Sequence, residues 1–233
     1  MAARCLDSLV AERERVPGMR VVVVDGGSGD GSAEALGATL SEDRFRGWSE
    51  LIALPINGGF GFANNAALAA LLNSASPPEF IMLLNPDTIV EPGAVAMLAD
   101  HLRRHPGAGA VGSQLLEPDG TPAGCAFPFP SLRGELARGA RTGLIDRLMR
   151  VPAPAFPPAQ AEREADWVTG ASVMLRAEAL RQAGLFDDGF FLYHEEIELM
   201  WRMRRAGWSI RHEPRSRVRH VGGAATGVHS RPV

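Results

Sequence analysis

The run Phe80-Ile81-Met82-Leu83-Leu84, halted by Asn85-Pro86-Asp87, constrains this chain more than any other stretch. Five consecutive apolar residues bounded by a turn signal read as a strand buried on both faces of a parallel sheet. Proline cannot donate to a sheet ladder, so the strand stops there and Asp87 falls at its carboxyl edge. Open α/β sheets bind their ligands at that edge. A carboxylate in such a place is a hard oxygen donor, suited to Mg²⁺ or Mn²⁺ beside a diphosphate. Taken alone, the segment reads first as a strand-end turn with a capping Asp.

The rest of the chain alternates strands and helices. A helix is expected over Ala3 to Arg13, then a buried strand over Val21 to Val24 that ends at Asp25. GGSGDGS turns the chain into a helix over Ala33 to Leu40, and Leu51 to Leu54 is a short strand. NGGFGFANNAALAALLN starts as a glycine-rich turn and continues as a helix. After the Phe80 strand come a helix near Pro92 to Arg104 and a strand near Ala110 to Leu115. From Phe127 to Glu164 a basic, weakly amphipathic helix leads into a proline-rich stretch, an excursion rather than a domain boundary. WVTGASVML reads as one strand, followed by a helix over Ala177 to Ala183. HEEIELMWRMRRAG is a helix that pairs Glu198 with Arg202 and stops at Gly207. Two short strands follow, Ser209 to His212 and Arg217 to His220. The alternation predicts one α/β domain built on a mixed, mostly parallel sheet with helices on both faces.

Composition removes several functions. All 24 basic residues are arginine, so a P-loop and Schiff-base catalysis, both of which need a lysine, are excluded. A net charge of −3 offers no basic field for nucleic acid. Cys5 and Cys125 lack metal-ligand spacing and read as reduced thiols. No apolar stretch has the length of a membrane span, and a soluble, cytoplasmic protein is expected.

Three constellations carry chemistry. VVVVDGGSGDGS does not fit G-x-G-x-x-G, because Ser32 or Ser28 stands where a glycine is needed. It leaves Asp25 at a strand end, where a carboxylate can accept the imide N–H of uracil or thymine. Asp30 and Ser32 sit at a helix start, where capping is the simpler role. HEEIE ends in Glu198 and so fails the zinc pattern H-E-x-x-H. It does crowd Glu195 and Glu196 at a helix N-terminus, which raises the proton affinity of one and suits a general base. A solvated acidic first turn is the alternative. His220 alone reads as an ordinary core or surface histidine; beside an ion at Asp87 it becomes a nitrogen ligand.

The ordered set VVVVDGGSGDGS, NGGFGFANNAAL, LLNPDT, DWVTGASVMLRAEAL, FDDGFFLYHEEIELMWRMRRAGW and RHVGGAATG resembles family 2 glycosyltransferases of the GT-A fold, in their bacterial rhamnosyltransferase-like branch. The resemblance implies an inverting transfer of a rhamnose-like hexose from a dTDP- or UDP-sugar to a saccharide or polyprenyl-linked acceptor. It implies that Asp25 and Asp30 meet the nucleotide, that Asn57, Gly59 and Asn64 line the donor site, and that Asp87 and His220 hold Mg²⁺ or Mn²⁺. Trp167, Thr169 and Gly170 would line the donor sugar and acceptor. Glu196 would be the base, with Glu195 as its neighbour in a Glu-Glu pair where relatives carry Glu-Asp. The domain then divides into a nucleotide-sugar half (1–116), the excursion (127–165) and an acceptor half (166–233). Family members open with a buried strand before the first helix, whereas Met1 stands already inside that helix, so an N-terminal strand is expected to be missing from the sheet. A catalytically inactive nucleotide-sugar-binding relative and, more remotely, a nucleotidyltransferase are the alternatives. Peripheral contact with the inner face of the cell membrane and homo-oligomers are compatible with the resemblance.

Overall fold

The computed structural model describes residues 1–130, 156 and 161–221. The helix expected inside 131–155 therefore lies outside the described residues. In chain order the elements are α1 (Ala2–Arg15), β1 (Val21–Asp25), α2 (Ser32–Leu40), β2 (Ser49–Ala53), α3 (Gly59–Leu72), β3 (Phe80–Leu84), β4 (Thr88–Val90) and α4 (Ala94–Arg104). They continue with β5 (Ala108–Leu116), β6 (Ala126–Phe127), β7 (Arg163–Ala165), β8 (Trp167–Val168), β9 (Ser172–Arg176), α5 (Ala177–Ala183), α6 (Glu195–Arg205) and β10 (Ser209–His220).

A mixed sheet runs in the order β3-β9-β5-β10-β4, with β7 also on β10. β5 and β10 pair in parallel, and β3 points the same way, because β9 lies antiparallel to both β3 and β5. β4 and β7 join β10 antiparallel, near its end and its start respectively. Helices cover both faces. On one, Leu6 and Leu9 of α1 and Leu98 and Leu102 of α4 pack with Val111, Met174 and Val218. On the other, Leu68 of α3, Leu180 of α5 and Leu199 and Met203 of α6 pack with Ile81, Leu83, Leu175 and Ile210. The helices of the first face are joined by Glu12, a fully buried carboxylate of α1. It accepts the N–H groups of Gly93 (2.6 Å) and Val95 (3.0 Å), so it caps α4 at the end where the helix dipole favours an anion.

β1 and β2 form a parallel ladder of their own, and among the described residues no ladder joins β1 to β3. This changes the expected burial of both strands. Val21 to Val24 are only half-buried, and in β3 Ile81 and Leu83 are buried while Phe80, Met82 and Leu84 are partly exposed. Burial on both faces needs a packed layer over each, and among the described residues these two strands are covered incompletely. A cavity of about 200 Å³ also opens beside Val22, against Ala67, Ala70 and Leu71 of α3.

Two expected outlines are corrected. WVTGASVML is not one strand: Trp167 and Val168 pair with β6, and the chain rejoins the main sheet only at Ser172. The break at 169–171 lets other side chains approach Gly170, as described below. The two strands expected at the end are one, with a bulge between Glu213 and Arg217. Pro214 falls inside it; lacking an N–H, it displaces the ladder without ending the strand.

Candidate active site

The carboxyl ends of β1, β3 and β10 supply the first group of candidates. Asn85 donates its N–H to the Ala171 carbonyl (3.0 Å) and accepts both the N–H and the hydroxyl of Thr88 (3.2 and 2.7 Å), which ties the Asn-Pro-Asp turn to the sheet. The Asp87 carbonyl accepts the Val221 N–H at 2.9 Å, and His220 pairs with Thr88 across the β10–β4 ladder. These bonds bring the two predicted ligands together, with His220 Nε2 3.3 Å from Asp87 Oδ1. Asp87 is buried, and His220 Nε2 is shielded from solvent with no hydrogen-bond partner. Two donors to one ion with ~2.1 Å bonds stand about 3.0–3.4 Å apart. Separation, donor chemistry and the orphaned nitrogen all suit a divalent ion.

Asp25, buried at the end of β1, accepts the N–H groups of Gly27 (3.2 Å) and Ser28 (2.9 Å) through one oxygen. Close backbone approaches then run from this turn to the helix that carries the glutamates. A Cβ on Gly27 would lie 2.7 Å from the carbonyl carbon of Ile56, and Asn57 accepts the Gly59 N–H at 3.0 Å. Gly59 has φ +92° and touches Phe191, whose carbonyl accepts the Phe60 N–H at 3.1 Å. On Gly170, a Cβ would meet the Phe60 ring at 3.2 Å and the Glu196 Cβ at 3.9 Å. These contacts link Asp25, Asn57, Gly59, Gly170 and Glu196 through a chain of neighbours.

Glu195 is almost fully buried, and both glutamates have an oxygen with no hydrogen-bond partner. Burial raises the Glu196 carboxyl above the ordinary glutamate range, and the neighbouring Glu195 charge adds to this against the opposing backbone groups of Glu196 and Gly170. Glu198 is engaged elsewhere. It takes a forked bond from Arg202 (2.6–2.9 Å), whose remaining N–H groups reach the carbonyls of Ala183 and Leu185. Trp167 stacks on Phe127 with centroids 4.2 Å apart and donates to the Pro128 carbonyl, while Thr169 donates its N–H to Cys125.

Among the described residues, Asp30 and Asn64 are held by local bonds. Asp30 is exposed and accepts the Ser32 N–H (3.1 Å), and the bonds from Ser32 lower its pKa. Asn64 donates to the Phe60 carbonyl of its own helix (2.9 Å). Its neighbour Asn65 has the longer reach: it donates to Phe186 O (2.9 Å) and Asp188 Oδ1 (2.7 Å) and accepts the Phe186 N–H (3.0 Å). Sequence reasoning passed over Asn65, although adjacent helix positions lie about 100° apart and only one of the two could face that loop. It also passed over Phe191, Leu192 and Tyr193, three consecutive exposed apolar residues that lead into left-handed backbone at Tyr193 and His194 (φ 68° and 73°).

The fold is that of the GT-A glycosyltransferases, and the model of the family described as glycosyl transferase family 2 matches residues 1–123. The chain belongs to this family of enzymes and within it is rhamnosyltransferase-like. A Mycobacterium tuberculosis (strain CDC 1551 / Oshkosh) protein, N-acetylglucosaminyl-diphospho-decaprenol L-rhamnosyltransferase, is 31% identical over 239 residues, 96% of this chain and 73% of its own length. Two solved structures share the fold at 15% identity. GalNAc-T7 with UDP, GalNAc and Mn²⁺ matches 87% of this chain with a TM-score of 0.62. The mannosyltransferase PcManGT from Pyrobaculum calidifontis, in complex with GDP-Man and Mn²⁺, matches 94% with a TM-score of 0.58. The chain spans 38% and 53% of their respective lengths. Among the described residues no helix is long and apolar enough to cross a membrane.

Proposed function

We propose that the protein transfers a rhamnose-like hexose, with inversion, from a dTDP- or UDP-sugar to a saccharide or polyprenyl-diphosphate-linked acceptor in cell-envelope polysaccharide synthesis. The observation that carries this reading is the 31% identity over 96% of the chain to a rhamnosyltransferase named for a diphospho-decaprenol acceptor. Residues 1–116 form the donor half and 166–233 the acceptor half, and the protein works in the cytoplasm or at the inner membrane face, where lipid-linked acceptors are found.

In this mechanism Asp25 accepts the imide N–H of the nucleobase, with Asp30, Asn57, Gly59 and Asn64 along the nucleotide's path. Trp167, Thr169 and Gly170 border the sugar. Glu196, with Glu195 beside it, takes the proton from the acceptor hydroxyl as that oxygen attacks the anomeric carbon opposite the departing diphosphate. Burial fits Glu196 for this, because a carboxylate that holds protons more tightly is a stronger base. Asp87 and His220 would hold Mg²⁺ or Mn²⁺, which supplies positive charge to stabilise the leaving diphosphate.

The test is incubation of the purified protein with dTDP-rhamnose, Mn²⁺ and a short-chain prenyl-diphospho-GlcNAc acceptor, with product detection by mass spectrometry. A hexose added to the acceptor supports the reading, whereas nucleotide-sugar binding with neither transfer nor donor hydrolysis points to an inactive binding relative.

A further inference from the structure

We infer that His101, His105 and Glu162 form a second metal site, for a transition ion of the zinc class, at the end of the sheet remote from Asp87 and His220. The cluster lies beside the first residues of β10. His212 pairs with Gly112 and Arg219 with Leu116, so the two ends are separated by about 13 Å along the ladder at ~3.3 Å per residue.

The donors are built into the backbone. His101 lies in the last turn of α4, and His105 continues that turn by donating its N–H to the His101 carbonyl (3.0 Å). Four residues apart on a helix, the two imidazoles share a face, and their centroids are 4.5 Å apart. Glu162, one residue before β7, spans them: Oε2 is 3.3 Å from His101 Nδ1 and Oε1 is 3.0 Å from His105 Nε2. One donor atom from each residue lies within 4.8 Å of the other two. A tetrahedral ion with ~2.05 Å bonds has ligand–ligand edges of about 3.3 Å; the two carboxylate contacts have that length through different oxygens, and with all three donors within 4.8 Å a small side-chain rotation closes the set on one ion. Two imidazoles and a carboxylate are a zinc donor set. His105 and Glu162 are partly exposed, which gives an ion a way in and leaves room for a water as fourth ligand.

The surrounding charges set the terms of binding. Arg104 approaches Glu162 at 3.4 Å but is half-exposed, so it can turn into solvent at little cost. Arg211 Nε donates to His101 Nε2 at 3.1 Å, which places the ring proton on Nδ1, between Glu162 and the buried Glu213. An ion at Nδ1 displaces that proton to Nε2, and Arg211 turns towards Glu164, already 3.3 Å away. The ion then ties α4 to the β7–β10 edge.

Co²⁺ is the probe, titrated into the metal-stripped full chain. The expected result is one equivalent with the intense visible absorption of tetrahedral Co²⁺, and a Tm that rises with added Zn²⁺. H105Q and E162Q should each weaken Co²⁺ binding at least tenfold, and both positions are exposed enough for the variants to fold. R211Q, which can accept a proton from Nε2, should bind at least as tightly as the native chain, and D87N should leave the spectrum unchanged. No stoichiometric tetrahedral band overturns the inference, as does a band that survives H105Q or disappears in D87N.

Discussion

Glu196 places a carboxylate at a helix start, against Gly170, with an oxygen left without a partner. Glu196→Gln keeps the shape and removes the basicity, so kcat should fall roughly 10²–10⁴-fold while donor affinity, measured by calorimetry, stays within about twofold. Near-normal turnover would remove Glu196 from the role of base. Because burial raises its pKa, the acid limb of kcat against pH should lie above the ordinary glutamate range: the base works only once deprotonated. A second residue governs stability. The His212 imidazole titrates at about 4, chiefly because burial disfavours the cation and further because of the nearby Arg163 charge. The unfolded chain then binds, between its ordinary value near 6.5 and about 4, a proton that the folded chain refuses, so stability falls as pH drops through that window. Urea unfolding at pH 7 and pH 5 should differ by about 2 kcal/mol on this account. His212→Gln should flatten most of that difference, and an unchanged slope would assign it to other groups.

At the scale of elements, strands carried by long apolar runs were legible. Val21 to Asp25 and Phe80 to Leu84 stand where their composition places them, as does the helix that starts at Glu195. What the pattern could not reveal was pairing. The short strands β4, β6 and β7 exist because β10 and β8 offer them partners, and two or three residues carry no period of their own. Asp87 was identifiable as the acid that follows an apolar strand and His220 as the end of a short one, but their contact depends on the β10–β4 ladder. Gly59 shows how a local residue serves a distant junction. A Cβ there would sit 1.9 Å from the Phe191 carbonyl oxygen at φ +92°, whereas at Gly31, with φ +84°, it would meet nothing. Both alanine variants suffer the same backbone strain, about 1–2 kcal/mol, but only Gly59→Ala must also push apart the loops before α3 and α6. Its Tm and transfer rate should therefore fall well below those of Gly31→Ala; equal losses would mean that the junction is soft.

The molecule as a whole carries its strongest ladders where strands are flanked on both sides. β5 and β10 should hold their amides longest in hydrogen–deuterium exchange, and the N–H groups of β1 and β3 that no ladder engages among the described residues should exchange within the time of loop amides. Protection of both edges equal to that of β5 would show that they are covered in solution. The bonds from Asn65 to Phe186 and Asp188 bear on a different matter, the order in which substrates arrive. They fasten the helix that begins at Gly59 to the loop that presents Glu196. On the proposed reading, a sugar nucleotide settling against the first turn of α3 would set the posture of the loop before any acceptor is present. Kinetics should accordingly be compulsory-order, donor first, and Asn65→Ala should relax them towards random addition.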